Sequence, residues 1–176
     1  MNTGLLDAHR ASWLLVEASS IHLIDVREIA AAARGVIDQF HRDFASTLAG
    51  AEIHHIGATS LPFGHTKGDV DVNVRIDRTK FQTVVTALGK QLTPAQPENW
   101  SQSFASFAAE GYELPLGVQI TSIGSKDDLL LALRDRMLAD PSLLQRYDNV
   151  KIATASKGAD AYWKAKDKLL REILEA

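Results

Sequence analysis

Cysteine is absent from all 176 residues, and methionine occurs only twice. Without thiols there is no disulfide, no thiolate nucleophile and no Cys-type zinc site. Long apolar runs are missing as well. Every one is interrupted by charge within a few residues, so no segment reads as a membrane span. The N-terminal stretch MNTGLLDAHRASWLLVEASS is broken by Asp7, His9 and Arg10 and holds no apolar core of signal-peptide length. These absences predict a cytoplasmic protein that does not engage a membrane. An excess of positive charge is lacking too: 19 Lys and Arg against 22 Asp and Glu give a formal net charge of −3. A generic nucleic-acid coat needs a basic surface to release counterions, so nucleic acid is not the expected partner. A small, locally basic pocket for a nucleotide or other phosphorylated small molecule stays compatible with this balance.

What is present is ordinary for a globular chain, with 45% hydrophobic and 23% charged residues. The length suits one compact domain over residues 1–176. The first third reads as helix. From Asp25, the residues Val26, Ile29, Ala30, Ala33, Val36, Ile37, Phe40, Phe44 and Leu48 recur at helical spacing. Asp25 and Glu28 form a capping-box pattern, and Gly50 supplies a stop. Glu52–Gly57 is short and strand-like, and a loop from Ala58 to Gly68 follows. Residues 69–76 then alternate strictly, placing Asp69, Asp71, Asn73 and Arg75 on one face and Val70, Val72, Val74 and Ile76 on the other. A helix is expected from Thr79 to about Leu92, and Pro94 and Pro97 mark a loop. Two strands, Ser101–Ala108 and Tyr112–Ile123, read as a hairpin about Glu110 and Gly111. The remainder is helical, with Asp140-Pro141 as cap and first helical residue and Gly158 between the last two helices. The order predicts an α+β fold: a small mixed, mostly antiparallel sheet flanked by N-terminal and C-terminal helices.

Two aspartates at i and i+2 on a strand point the same way, close enough to share a cation. Mg²⁺ prefers oxygen ligands and is held by one or two carboxylates plus substrate phosphates, the arrangement that nucleotidyl and phosphoryl transfer require. Asp69 and Asp71 meet that requirement and are the candidate metal-binding and catalytic pair. A bare D-x-D also suits a solvated strand face; the segment before it adds the context. The turn Gly57-Ala58 ends a strand about ten residues earlier and lets backbone N–H groups approach a phosphate closely. Thr59 and Ser60 add hydroxyls. This layout resembles polymerase-β-type nucleotidyltransferases.

The C-terminal helices carry a second signal. Arg134 falls among Leu130, Leu131, Met137 and Leu138. Lys151 follows Leu143, Leu144, Tyr147 and Val150. Lys166 lies between Tyr162, Leu169, Leu170 and Ile173. One such intrusion is a long side chain snorkelling at the edge of a stripe. Three point to an inward-facing cationic cluster whose partner is a carboxylate face or a bound phosphate. By contrast, His54, His55 and His65 show no zinc-ligand spacing, and there is no Walker A or G-x-S-x-G motif.

More specifically, the chain resembles the GrpB-like family of the nucleotidyltransferase superfamily. One block is His55-Ile56-Gly57-Ala58-Thr59-Ser60-Leu61-Pro62 followed by Lys67-Gly68-Asp69-Val70-Asp71-Val72. The other is Arg134-Asp135, then Tyr147-Asp148-Asn149-Val150-Lys151, then Tyr162-Trp163-Lys164-Ala165-Lys166. The resemblance implies a nucleotidyltransferase-like fold and a Mg²⁺-dependent transfer of a nucleoside monophosphate from a triphosphate to an acceptor. The alternative is a non-catalytic nucleotide- or phosphate-binding module on the same fold. Under either reading Gly57, Ala58, Thr59, Ser60, Lys67, Arg134, Lys151 and Lys166 contact phosphate. Two departures stand out. Many family members have an apolar residue at the position of Asp69, and the family's H-L-H is Gly117-Val118-Gln119 here. Transferases of this fold carry a third carboxylate on a neighbouring strand. Gln119 is not one, and Glu113 shares its face by parity but lies some way along, so the third ligand stays open.

Overall fold

The computed structural model describes residues 21–175. The expectation of helix before Ile21 lies outside them. Five strands form the main sheet in the order β2-β4-β7-β6-β5: β2 (Glu52–Ile56), β4 (Val70–Ile76), β5 (Thr93–Pro94), β6 (Phe104–Ala109) and β7 (Leu116–Ser122). β4 and β7 run parallel, with Asp71 opposite Gly117 and Asn73 opposite Gln119; the other pairs are antiparallel. A separate two-stranded ribbon joins β1 (Ile24–Asp25) to β3 (His65–Thr66). The fold is therefore α+β with a mixed, mostly antiparallel sheet, as the order of elements predicts.

The alternation along β4 explains the layering. Val70, Val72, Val74 and Ile76 are all buried and meet Ala33, Val36 and Phe40 of α1 (Ala30–Asp43) and Val84, Val85 and Leu88 of α2 (Phe81–Leu88). Leu116, Val118 and Ile120 of β7 join them from the same face. The opposite face is covered by α3 (Leu130–Ala139), α4 (Pro141–Ala155) and α5 (Ala159–Glu175), whose Leu133, Met137, Leu144, Leu169 and Ile173 enclose Leu61 from the loop after β2. Asp140 caps α4 by accepting from the Ser142 and Leu143 amides, with Pro141 in the first turn. Among the described residues no helix is long and apolar enough to cross a membrane.

Several boundaries differ from the sequence pattern. Asp25 caps a single 3₁₀ turn (Val26–Glu28) through the Arg27 amide, and its carboxylate also binds the Arg27 guanidinium, so no capping box forms with Glu28. α1 starts at Ala30 and ends at Asp43; Phe44 and Leu48 continue its apolar stripe and are buried, but in turns. The second helix is shorter than expected, and Thr93–Pro94 pairs at the sheet edge. β7 begins only at Leu116, which leaves Tyr112 and Glu113 in the connection that precedes it.

The polar face of β4 is not a solvated surface. Asn73 is fully buried and donates to the Gln119 carbonyl and the Thr121 hydroxyl. Arg75 grips Asp128 through two bonds of 2.7 Å and also meets Glu52. The Asp128 side chain is only 5% exposed, and this contact holds its carboxyl below the usual carboxylate range. Removing one partner of so enclosed a pair leaves the other charge uncompensated. Asp128→Ala is therefore expected to lower unfolding free energy by about 3 kcal/mol, read by urea denaturation, with Asp160→Ala at an exposed position moving it far less.

Candidate functional site

β4 carries Asp71 between the buried Val70 and Val72, so its carboxylate leaves the opposite side of the sheet from the core. Asp69 immediately precedes the strand, and its side chain is 17% exposed. The turn after β2 sits directly against this pair. Gly57 has φ +73° and ψ −169°, a conformation that essentially only glycine adopts. A Cβ built on Gly57 would strike the Asp71 carboxylate. The glycine thus serves twice, for its backbone angles and for the space it leaves. Ser60 donates to the Gly57 carbonyl at 2.7 Å, and Thr59 bridges the His55 ring at 2.9 Å and the Asp69 carbonyl at 3.3 Å. Burial, with the nearby Arg134 charge, pushes the His55 imidazole down to about 4.

Two lysines neutralise the carboxylates from different elements. Lys67 reaches Asp69 at 3.2 Å and lies 4.5 Å from the centre of the Trp163 ring. Lys166 of α5 lies 4.9 Å from the same ring, and its charge acts on both aspartates. The pair splits in consequence. Burial would raise Asp69, but Lys67 and Lys166 hold its carboxyl below the ordinary value. Burial and the Asp69 charge push Asp71 up to about 6, against the hydrogen bond from the Gln119 amide at 3.1 Å.

Lys151 is 2% exposed. Its amine donates to the His65 carbonyl and stands 3.6 Å from Asp148 and 4.3 Å from the centre of the Tyr147 ring. Burial lowers it to about 8. It is turned inward, as the interrupted stripe predicts, but its nearest partners are the β3 backbone and Asp148. Arg134 goes elsewhere: its guanidinium donates to the His55 carbonyl at 2.9 Å and to its neighbour Asp135. The structure therefore brings Gly57, Thr59, Ser60, Lys67, Asp69, Asp71 and Lys166 together, sets Lys151 behind them and leaves Arg134 on β2. Ala58 occupies the single 3₁₀ turn after Gly57.

Sequence reasoning expects His55 or His65 to orient loop or phosphate groups, and it missed Asp148 as the partner of His65. Asp148 is buried, accepts from the His65 amide at 2.6 Å and pairs with the His65 ring at 3.0 Å. The signal was an acidic residue on the α4 stripe beside Tyr147 and Lys151, one turn apart. It also missed Trp163, whose ring is shared by the two lysines. As for further ligands, Glu113 is exposed and off the strand. Among the described residues no third His, Asp or Glu completes a metal-binding cluster.

The architecture defines an α+β domain in which a central strand presents two carboxylates to a glycine turn under a layer of C-terminal helices. Residues 24–176 match the family profile described as GrpB protein, and the chain belongs to that family. It is 23% identical, over 94% of its length and 87% of the relative's, to a UPF0157 protein of Vibrio cholerae. It shares its fold with the conserved protein GrpB from Enterococcus faecalis, at a TM-score of 0.66 and 16% identity over 88% of this chain and 98% of that one.

The split carboxylates predict a pH signature. Asp71 titrates higher in the folded chain, about 6, than the ordinary aspartate value of 3.8. Between those values the native state binds more protons than the unfolded one, so this group's contribution to stability falls as pH rises through that window. Asp71→Asn keeps an acceptor for Gln119 and removes the repulsion with Asp69. It is expected to raise stability at pH 7.5 by roughly 1–2 kcal/mol, the shift being discounted for partial exposure. The gain should shrink towards pH 4, where Asp71 is already protonated. Thermal denaturation of both proteins across pH 4–8 in the absence of divalent cations measures it.

Gly57→Ala offers a second check. The strained angles and the collision with Asp71 together are expected to cost about 2 kcal/mol or more of stability. Gly111→Ala, where a Cβ meets nothing within 4 Å despite a φ of +82°, isolates the backbone part of that cost.

Proposed function

We propose that this protein is a Mg²⁺-dependent nucleotidyltransferase that moves a nucleoside monophosphate from a nucleoside triphosphate to an acceptor. The observation that carries the reading is the pair of largely enclosed carboxylates, Asp69 and Asp71, set against the Gly57 turn. Without a ligand, keeping both ionised already takes Lys67 and Lys166. A donor set of two hard carboxylate oxygens beside a phosphate-sized backbone turn suits Mg²⁺, which completes its shell with water and phosphate oxygens. Bound there by Asp69 and Asp71, the ion supplies charge neutralisation at the transferred phosphate. The chain's own groups do the rest. Gly57–Ser60 offers backbone close to the carboxylates, and the His55–Thr59 bond fixes that turn. Lys67 and Lys166 are cations set beside the carboxylates, able to exchange a carboxylate for a phosphate oxygen.

A second reading, binding of a nucleotide or other phosphorylated small molecule without transfer, is favoured by one observation. The neighbouring strand answers Asp71 with Gly117 and the Gln119 amide, not with a carboxylate.

The test is calorimetry with a nucleoside triphosphate and Mg²⁺ on the wild type and on the Asp69→Asn, Asp71→Asn double variant. The wild type is expected to bind and the variant to lose at least about tenfold in affinity, some 1.4 kcal/mol, while its circular dichroism stays unchanged. Equal affinity in the two proteins removes the metal site. Pyrophosphate release across a panel of acceptors separates transfer from binding alone.

A further inference from the structure

At the far end of the sheet from the aspartates, β4 and β7 end side by side, Ile76 opposite Ser122. A cavity of about 600 Å³ opens there, lined by Arg78, Ser101, Ser103, Ser122, Ser125 and Lys126 among others. Five residues along β4 separate this level from Asp71, which is roughly 17 Å of strand. The two places are therefore distinct, and nothing in the reading of the first requires the second.

Two observations make this more than a surface hollow. Arg78 and Lys126 border it, and neither makes an ion pair among the described residues. Ser122 is 0% exposed, so its hydroxyl lies behind the wall and out of a ligand's reach. The remaining hydroxyls have fixed roles. Ser101 and Ser103 donate to Asp127 at 2.7 and 2.6 Å, which consumes their protons and leaves their oxygens as acceptors, while the other buried carboxylate nearby, Asp128, is held by Arg75 and the Gly124 amide. Ser125 accepts from the Asp127 amide, so its own proton is available. The wall thus offers two cations, one hydroxyl donor and two hydroxyl acceptors in a volume within the usual range for small-molecule sites.

We infer that this cavity is a second binding site, for a small phosphorylated polyhydroxy compound of the sugar-phosphate class. Arg78 and Lys126 take the phosphate. The Ser125 hydroxyl donates to a ligand oxygen, and the Ser101 and Ser103 oxygens accept from ligand hydroxyls. A bare anion would use the cations and leave the acceptors idle. A neutral sugar would use the serines and leave the cations idle.

Ribose 5-phosphate, ribose and inorganic phosphate serve as probes, titrated into ¹⁵N-labelled protein and followed by amide shifts. Ribose 5-phosphate is expected to saturate and to move the amides of Ser103, Ser122, Gly124 and Ser125. Inorganic phosphate should bind at least fivefold more weakly, and ribose should leave the spectrum unchanged. The exposed pair Arg78→Gln, Lys126→Gln should weaken ribose 5-phosphate at least tenfold with the fold intact. Ser125→Ala should weaken it about threefold. Absence of saturation by ribose 5-phosphate in the millimolar range overturns the inference. So does unchanged affinity in the double variant, or ribose binding as well as its phosphate. If the Asp69→Asn, Asp71→Asn variant abolishes the shifts instead, the ligand occupies the first site and the second is refuted while the first stands.

Discussion

Two carboxylates held out of water on adjacent positions of one face repel each other, and much of the C-terminal half of this fold can be understood as the answer to that repulsion. Desolvation and like charge together push one of the pair towards its neutral form. Here the balance is asymmetric: Lys67 and Lys166 secure Asp69, and Asp71 takes the rise. Lys166 can act only if α5 lies against the sheet, which in turn depends on Leu169, Leu170 and Ile173 closing over Leu61 and α3. Packing of an apolar helix face and the electrostatics of the cleft are therefore one construction. The ring of Trp163 serves both lysines, offering each a π-face while burying their stems.

A second junction ties the same helices to the loop that carries the site. Asp148 on α4 reaches back to His65 through backbone and ring, and Lys151 one turn on donates to the His65 carbonyl. Gly64, with φ +110°, leaves room for that carboxylate, since a Cβ there would come within 3.0 Å of it. The segment from Gly57 to Gly64 is thus held at both ends by a glycine pressed against an aspartate: Gly57 against Asp71, Gly64 against Asp148. Backbone this close to a carboxylate leaves no freedom for the segment to slide, and the turn facing Asp69 and Asp71 inherits that rigidity.

How much of this was legible follows from the range of each interaction. β4 was plain because strict alternation needs only its own seven residues, and the Asp140-Pro141 start of α4 is equally local. The inward turn of Lys151 and Lys166 could be read because a cation interrupts an apolar stripe, yet the same pattern covers Arg134, which leaves for the His55 carbonyl. The stripe tells which side a residue faces and not what it meets. Nor could the alternation of β4 say that its polar face would be covered: Asn73 and Arg75 find Thr121 and Asp128 some fifty residues away. Phe44 and Leu48 kept helical spacing without a helix because burial selects apolar residues whether the chain turns regularly or not.

The neighbouring strand decides what the carboxylate pair can become. Gly117 stands directly opposite Asp71, and a Cβ there would lie 2.8 Å from the Asp71 carboxylate and 3.3 Å from the Gln119 amide. A carboxylate side chain at this position would displace Asp71 and bring a third negative charge to a pair that already draws on two lysines. Gln119 does the reverse, presenting an N–H to Asp71 and easing its ionisation. Its other amide atom, the buried Oε1, has no hydrogen-bond partner, so the side chain is held by the aspartate alone and sits within the same polar layer as Asn73. With Gly117 and Gln119 in place, further oxygen donors for a cation at Asp69 and Asp71 must come from the ligand or from water. Under the proposed function, affinity for metal and affinity for a phosphorylated ligand would then be linked, each supplying what the other lacks.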